Sequence, residues 1–250
     1  MKKSMLVSAM LMSATTAIAE APAAGKTTVG VSLDASVLLG VGLSVGTPLP
    51  YNLNARAMVH SFNYSRDFED QGGNYDGKLK LNTVGAMLDY HPFAGVFRLT
   101  AGLMSNGNKI NLKGVANSNS EYQIGDCYFT SNSSNPLTVN GDVGFNSLAP
   151  YLGFGWGGNM NAEPGFYGLF DLGVMFSGAP AAKLNASGSA VVSNNPNNAP
   201  NGCTPGTLVP DATSHPTVQR ELRDAETAFN DKASNYKLWP NISFGLGWRF

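Results

Sequence analysis

The sequence predicts an all-β chain: an eight-stranded antiparallel transmembrane β-barrel with long extracellular loops and one short loop helix. Three observations carry that prediction. The final stretch, LWPNISFGLGWRF, alternates with period 2. Leu238, Pro240, Ile242, Phe244, Leu246, Trp248 and Phe250 make a continuous apolar face, opposite Asn241, Ser243, Gly245, Gly247 and Arg249. An apolar band ending in interfacial aromatics, backed by a polar face, is the pattern of a membrane-barrel strand. Second, charged residues are only 13% of the chain, against about 25% in a soluble domain, while mean hydropathy is near zero. A barrel gives that average because its lipid-facing and lumen-facing residues cancel. Third, short and long connections alternate along the chain, as periplasmic turns and extracellular loops do in outer-membrane barrels.

The chain opens with MKKSMLVSAMLMSATTAIAEA. Lys2 and Lys3 precede an apolar run at 5–12 that is too short to span a bilayer, and Ala17-Ile18-Ala19 offers an A-x-A cleavage site. Residues 1–19 read as a signal peptide and 20–250 as the barrel. No later stretch approaches a transmembrane helix in length, so membrane crossing falls to strands.

Strand 28–34 sets Val29, Val31 and Leu33 against Gly30, Ser32 and Asp34, and strand 38–47 sets Leu39, Val41, Leu43 and Val45 against glycines and Ser44. Residues 47–50 carry two prolines and must turn. Strand 51–65 follows, with Ala55, Ala57 and Val59 opposite Arg56, Met58 and His60, and 66–77 is a polar, acidic loop. Strand 78–90 presents Val84, Ala86, Leu88 and Tyr90 outward and Asp89 inward. The turn at 91–95 leads to strand 97–111, where Phe97, Leu99, Ala101 and Leu103 oppose Arg98, Thr100, Gly102 and Met104. A long Asn- and Ser-rich loop, 114–142, precedes strand 145–157, whose outer face holds Leu148, Leu152, Phe154 and Trp156. After a turn at 158–165, strand 165–177 faces Phe166, Phe170, Leu172 and Val174 out and Tyr167 and Asp171 in. A second long loop, 179–237, leads to the closing strand 238–250. Within it, Pro216 opens a helix to about residue 235, with Val218, Leu222, Ala225 and Phe229 on one stripe and Glu221, Arg223, Asp224 and Glu226 across from it.

The inward charges are Asp34, Arg56, Asp89, Arg98, Asp171 and Arg249, three of each sign. Unpaired charges in a narrow interior are costly, so a balanced set is expected to pair internally. An eight-stranded barrel is just wide enough for side chains to fill, so the expected lumen is plugged; a narrow channel for small solutes or hydrophobic compounds is the rival reading. Cys127 and Cys203, the two cysteines, sit in the two longest loops on the oxidising side and form a candidate disulfide. Asp67, Glu69, Asp70 and Asp76 do not follow the EF-hand spacing, and no metal or other cofactor is expected. The net charge of −1 argues against nucleic acid as a partner. A lipid-modifying enzyme would need a serine within reach of a histidine base. His60 faces inward beside outward Ser61, His91 lies in a turn and His215 precedes the helix, so no catalytic residues are assigned and a non-enzymatic protein is expected.

Several stretches carry a resemblance. They are YDGKLKLNTVGAMLDYHPF at 75–93, FRLTAGLMSNGNKINL at 97–112, APYLGFGWG at 149–157, and the terminal strand with Phe244, Leu246, Trp248 and Phe250. Ending on Phe250, that strand resembles the C-terminal signature of bacterial outer-membrane barrels. The chain as a whole is similar to the small proteobacterial barrel superfamily that includes the OmpW and OmpA/OmpX types. The resemblance implies the bacterial outer membrane as location, with outer-membrane lipid and lipopolysaccharide and the barrel-assembly machinery as partners. The plugged lumen and the long loops 114–142 and 179–237 point to a structural or surface-interaction role exercised through those loops, on an extracellular ligand the sequence does not identify.

Overall fold

In the computed structural model, residues 28–70, 72–198 and 202–250 are described; the signal-peptide reading at 1–19 lies outside them. In chain order they form β1 (Gly30–Ser36), β2 (Gly40–Leu49), β3 (Leu53–Asp70), β4 (Gly73–Tyr90), β5 (Phe97–Asn106), β6 (Lys109–Ala116), β7 (Glu121–Ile124) and β8 (Cys127–Ser131). There follow β9 (Thr138–Gly144), β10 (Leu148–Gly157), β11 (Gly165–Met175), β12 (Ala181–Ser187), β13 (Ala190–Val192), β14 (Leu208–Val209), α1 (Pro216–Ala233) and β15 (Trp239–Arg249). Eight strands close a transmembrane barrel in the cyclic order β1-β2-β3-β4-β5-β10-β11-β15, each neighbouring pair antiparallel. Closure leaves no bare strand edge in the membrane, where an unsatisfied backbone group costs several kcal/mol. Among the described residues no helix is long and apolar enough to cross a membrane.

The register fixes the tilt. Stepping across the strands from Gly30 passes through Gly46, Arg56, Met87, Gly102, Tyr151 and Met175 to Trp239 on β15. The β15 partner of Gly30 is Arg249, ten residues from Trp239, so the barrel has a shear of 10. With ordinary strand spacing and rise, that gives a tilt of about 40°. Strands of some ten residues at this tilt span an apolar band of about 25 Å. The period-2 reading holds strand by strand: β1 and β15 alternate buried and exposed positions, with Leu33, Phe244, Leu246 and Trp248 outside. Near the short-turn end the outer face carries a chain of ring contacts, Phe93–Phe97–Trp156–Phe170–Phe244, the aromatic girdle of a membrane barrel.

The long connections differ from expectation. Within the expected loop 66–77, residues 66–70 and 73–77 are the upper part of the β3–β4 hairpin, paired continuously from Leu53↔Tyr90 to Asp70↔Gly73. Their polarity is compatible with a strand because they stand beyond the apolar band: Asp67 and Asp76 share one face, while Phe68 and Tyr75 stack at 5.2 Å on the other. Strand 97–111 divides at Gly107 into β5 and β6, which keep one register along β4 (Thr83↔Asn106 and Lys80↔Lys109). In the same way β9 runs into β10, and β11 into β12. One wall of the barrel therefore continues above its rim as the sheet β3-β4-β6-β9-β12, while β15, β1 and β2 stop at the rim.

The stretches expected as loops 114–142 and 179–237 complete a folded cap on this sheet. A second sheet of order β14-β13-β8-β7 packs with α1 around Tyr122, Phe129, Leu137, Val192, Val218 and Leu222. The β7–β8 hairpin turns at Gly125, whose φ of +58° is a conformation side chains rarely adopt. Cys127 and Cys203 form a disulfide inside this core, both buried, with Cα atoms 6.1 Å apart. Helix α1 covers the free edge of β12, where Asn230 Oδ1 accepts from the Ala182 amide at 2.8 Å and Glu226 Oε1 accepts from the Leu184 amide. Those two amides would otherwise stand as a pairing template for other strands.

Candidate functional site

The barrel lumen is built around two arginines and two aspartates. Arg56 donates from Nε to Asp89 Oδ2 at 2.8 Å and from Nη2 to Asp89 Oδ1 at 3.0 Å, a two-bond fork. Its Nη1 lies 3.5 Å from Asp171 Oδ2. Arg98, fully buried, donates from Nη2 to Asp171 Oδ1 at 2.6 Å and from Nη1 to the Gly157 carbonyl at 2.7 Å, with Nε 3.9 Å from Asp89. Thr100 Oγ1 donates to Asp89 Oδ1 at 2.6 Å. The four charges form a closed ring across the lumen, which offsets the cost of burying each one.

Side chains fill the space on either side of this ring. Toward the long-connection end, Met58, Met87, Met104, Met175, Tyr151 and Leu39 pack together under Trp239. Inward glycines make room for them: a Cβ at Gly173 would meet the Tyr151 ring, and one at Gly102 would meet Met87. Below Tyr151, Asn241 donates to its hydroxyl at 3.4 Å and accepts from Ser36 Oγ at 2.5 Å. Toward the short-turn end, residues 158–164 fold back under the lumen and insert Met160 against Tyr167 and Leu169. This turn is held by Asn159 and Asn161, the first reaching the Ala94 carbonyl at 3.1 Å and the second Asn54 Oδ1 at 3.1 Å. Beside it, Asn54 Nδ2 donates to His91 Nε2 at 2.9 Å, so the ring proton sits on Nδ1 and is donated to the Gly95 carbonyl at 3.0 Å. Burial in this neutral, doubly bonded arrangement lowers the His91 pKa. Between the ionic ring and His60 a cavity of about 10 Å³, lined also by Asp34, Tyr151 and Asn241, has room for about one water. Among the described residues, Asp34 Oδ1 and both His60 ring nitrogens have no hydrogen-bond partner.

Four of the six expected lumen charges meet in the ring: Arg56, Asp89, Arg98 and Asp171. Two do not. Asp34 lies over Gly245 on another part of the wall and accepts from Ser44 Oγ at 2.6 Å. Arg249 falls at the mouth, the β15 partner of Gly30, where it donates to the Asn159 carbonyl at 3.2 Å and lies over the Tyr167 ring. Period 2 gives the face a residue occupies but not its place along or around the barrel: Arg249 lies too low, at the mouth, and Asp34 stands on β1, where Ser44 of β2 bonds it. The alternation set Met58 and Met104 inward, but their clustering with Met87 and Met175 went unread. Its signal was present in Met58, Met87, Met104 and Met175, all at inward positions of their strands.

No family model matches the chain, and no curated protein matches it. Two solved structures share its fold. A crystal structure of Acinetobacter baumannii CarO is 20% identical over 88% of this chain and 97% of its own, with a TM-score of 0.50. A crystal structure of Acinetobacter baumannii CarO2 is 17% identical over 90% of this chain and 99% of its own, with a TM-score of 0.52.

Proposed function

We propose that this chain is a non-enzymatic outer-membrane barrel of the small-barrel superfamily, which conducts no solute and acts through the folded cap on its long connections. The short turns, the start of β1 and the end of β15 face the periplasm, and the cap stands outside the cell, following the loop-length rule of such barrels. The observation that carries this reading is occupation of the lumen at three levels: Met160 at one end, the Arg56–Asp89–Arg98–Asp171 ring, and the methionine cluster under Trp239 at the other. A disulfide in the cap fits an oxidising exterior. Its partners on this reading are outer-membrane lipid, the assembly machinery that inserts the barrel, and an extracellular ligand met by the cap.

Conductance of the refolded protein in a planar bilayer tests the reading. The expected record for wild type is flat, without discrete steps. Steady unitary openings in wild type would overturn it in favour of a narrow channel, with the ionic ring as its constriction.

A further inference from the structure

We propose that the outward face of the sheet above the rim is a binding site for the phosphate groups of an outer-leaflet glycolipid, centred on Lys80, Lys109 and Lys183. The proposal rests on the orientation given above but not on the filled lumen. Across β3 and β4 the lipid-facing band ends at the row Val59↔Val84. The next outward row is Ser61↔Asn82, and the one above it runs Asn63↔Lys80↔Lys109↔Gly144↔Ala181. Lys80 stands four residues beyond Val84, about 13 Å along the strand and about 10 Å along the barrel axis. That level is the headgroup layer, and the flexible lysine stems extend the reach.

Lys80 and Lys109 are directly opposed cross-strand partners of like charge. Such a pair is destabilising in isolation, and among the described residues neither has an acidic partner within ion-pair distance. A bridging anion removes the penalty. Beside Lys109 the same face opens into a groove of about 550 Å³ between Lys109, Asn111, Asn146 and Lys183, with Phe145 and Ala181 in its lining. Gly144 keeps the groove open, because a Cβ there would stand in free space. The carboxylate in the groove, Asp142, is occupied by the side chain of Asn111. The outward row nearest the membrane that carries charge holds Lys80 and Lys109 and no carboxylate, whereas Asp67, Asp76 and Glu69 stand in higher rows, interleaved with Lys78 and Lys113. A cation at headgroup level, Lys109, and a second above it, Lys183, flank a groove with polar and apolar walls and suit a phosphorylated sugar carrying acyl chains.

The test uses full-length protein folded in detergent micelles with diphosphoryl lipid A, purified, and assayed by native mass spectrometry for retained lipid. Wild type is expected to retain it. The variant carrying Lys80→Ala, Lys109→Ala and Lys183→Ala is expected to retain roughly tenfold less or lower still. Arginine at the same three positions is expected to restore retention, and heat-modifiable migration on a gel verifies that each barrel is folded. Undiminished retention by the folded alanine variant overturns the proposal, as does equal retention by wild type of lipid A stripped of its phosphates. Release of the lipid by millimolar inorganic phosphate would make this a free-phosphate site and overturn the lipid assignment. A conducting lumen would leave lipid retention untouched, and loss of retention would leave a silent lumen untouched, so the two readings fail separately.

Discussion

Arg98 is the residue on which the lumen turns. It is fully buried and bridges the strands on both sides of β10, through Asp171 on β11 and the Gly157 carbonyl. Removing one member of such a buried network leaves a charge uncompensated, typically at a cost of about 3–5 kcal/mol. Arg98→Ala is expected to destabilise the barrel by about that amount in urea unfolding from micelles. Adding Asp171→Ala should cost less than the sum of the two single changes, because the stranded carboxylate is gone. Strict additivity of the two would show that their pairing contributes nothing. The inward placement of Arg98 was legible in the alternation of FRLTAGLM, since a charge on the other face would meet lipid. Its partner was not legible, because the pairing spans 73 residues of chain and depends on the shear.

At the scale of elements, the chain treats its strand edges unequally. Inside the membrane, closure removes them; above the rim, β12 is covered by α1. The helix stripe Val218 and Leu222 was readable from its spacing, and both residues are buried in the cap core. What spacing does not show is that Glu226 and Asn230 act as a surrogate strand for the Leu184 and Ala182 amides. Replacing both with alanine removes two hydrogen bonds worth about 1 kcal/mol each. Exchange of these two amides with deuterium should accelerate about tenfold or more, with exchange in β1 and β15 unchanged. Unaltered protection at Ala182 and Leu184 would refute the edge-covering role. The stretch 66–77 misled for a related reason. Polar, acidic composition reads as a loop, yet a hairpin in water tolerates it wherever cross-strand pairs such as Phe68 and Tyr75 supply the contact.

On the scale of the whole molecule, the chain is a barrel carrying a cap with its own core, and the two are stabilised differently. The barrel rests on closed hydrogen bonding and the ionic ring. The cap rests on its apolar cluster and a disulfide that joins residues 76 positions apart. On the chain-entropy model a cross-link of that span contributes about 4.5 kcal/mol. Cys127→Ser with Cys203→Ser should therefore loosen the cap alone. Limited proteolysis of the folded variant is expected to cut within 117–137 or 188–215 while heat-modifiable migration of the barrel persists. Loss of that migration together with cap cleavage would mean that cap and barrel unfold as one unit.

The sequence by itself determined the architecture: eight membrane strands, their faces, the order of short and long connections, and the charges that must lie inward. Those features follow from period-2 alternation and from the cost of placing a polar group in lipid, both of which act locally and leave a trace at each position. Only the tertiary structure decided which charges meet, that methionines close the lumen, and that the long connections fold into a sheet and cap. These depend on the shear of 10, which sets the height of each residue against its neighbours, and on contacts between segments far apart in the chain. No local pattern records a height.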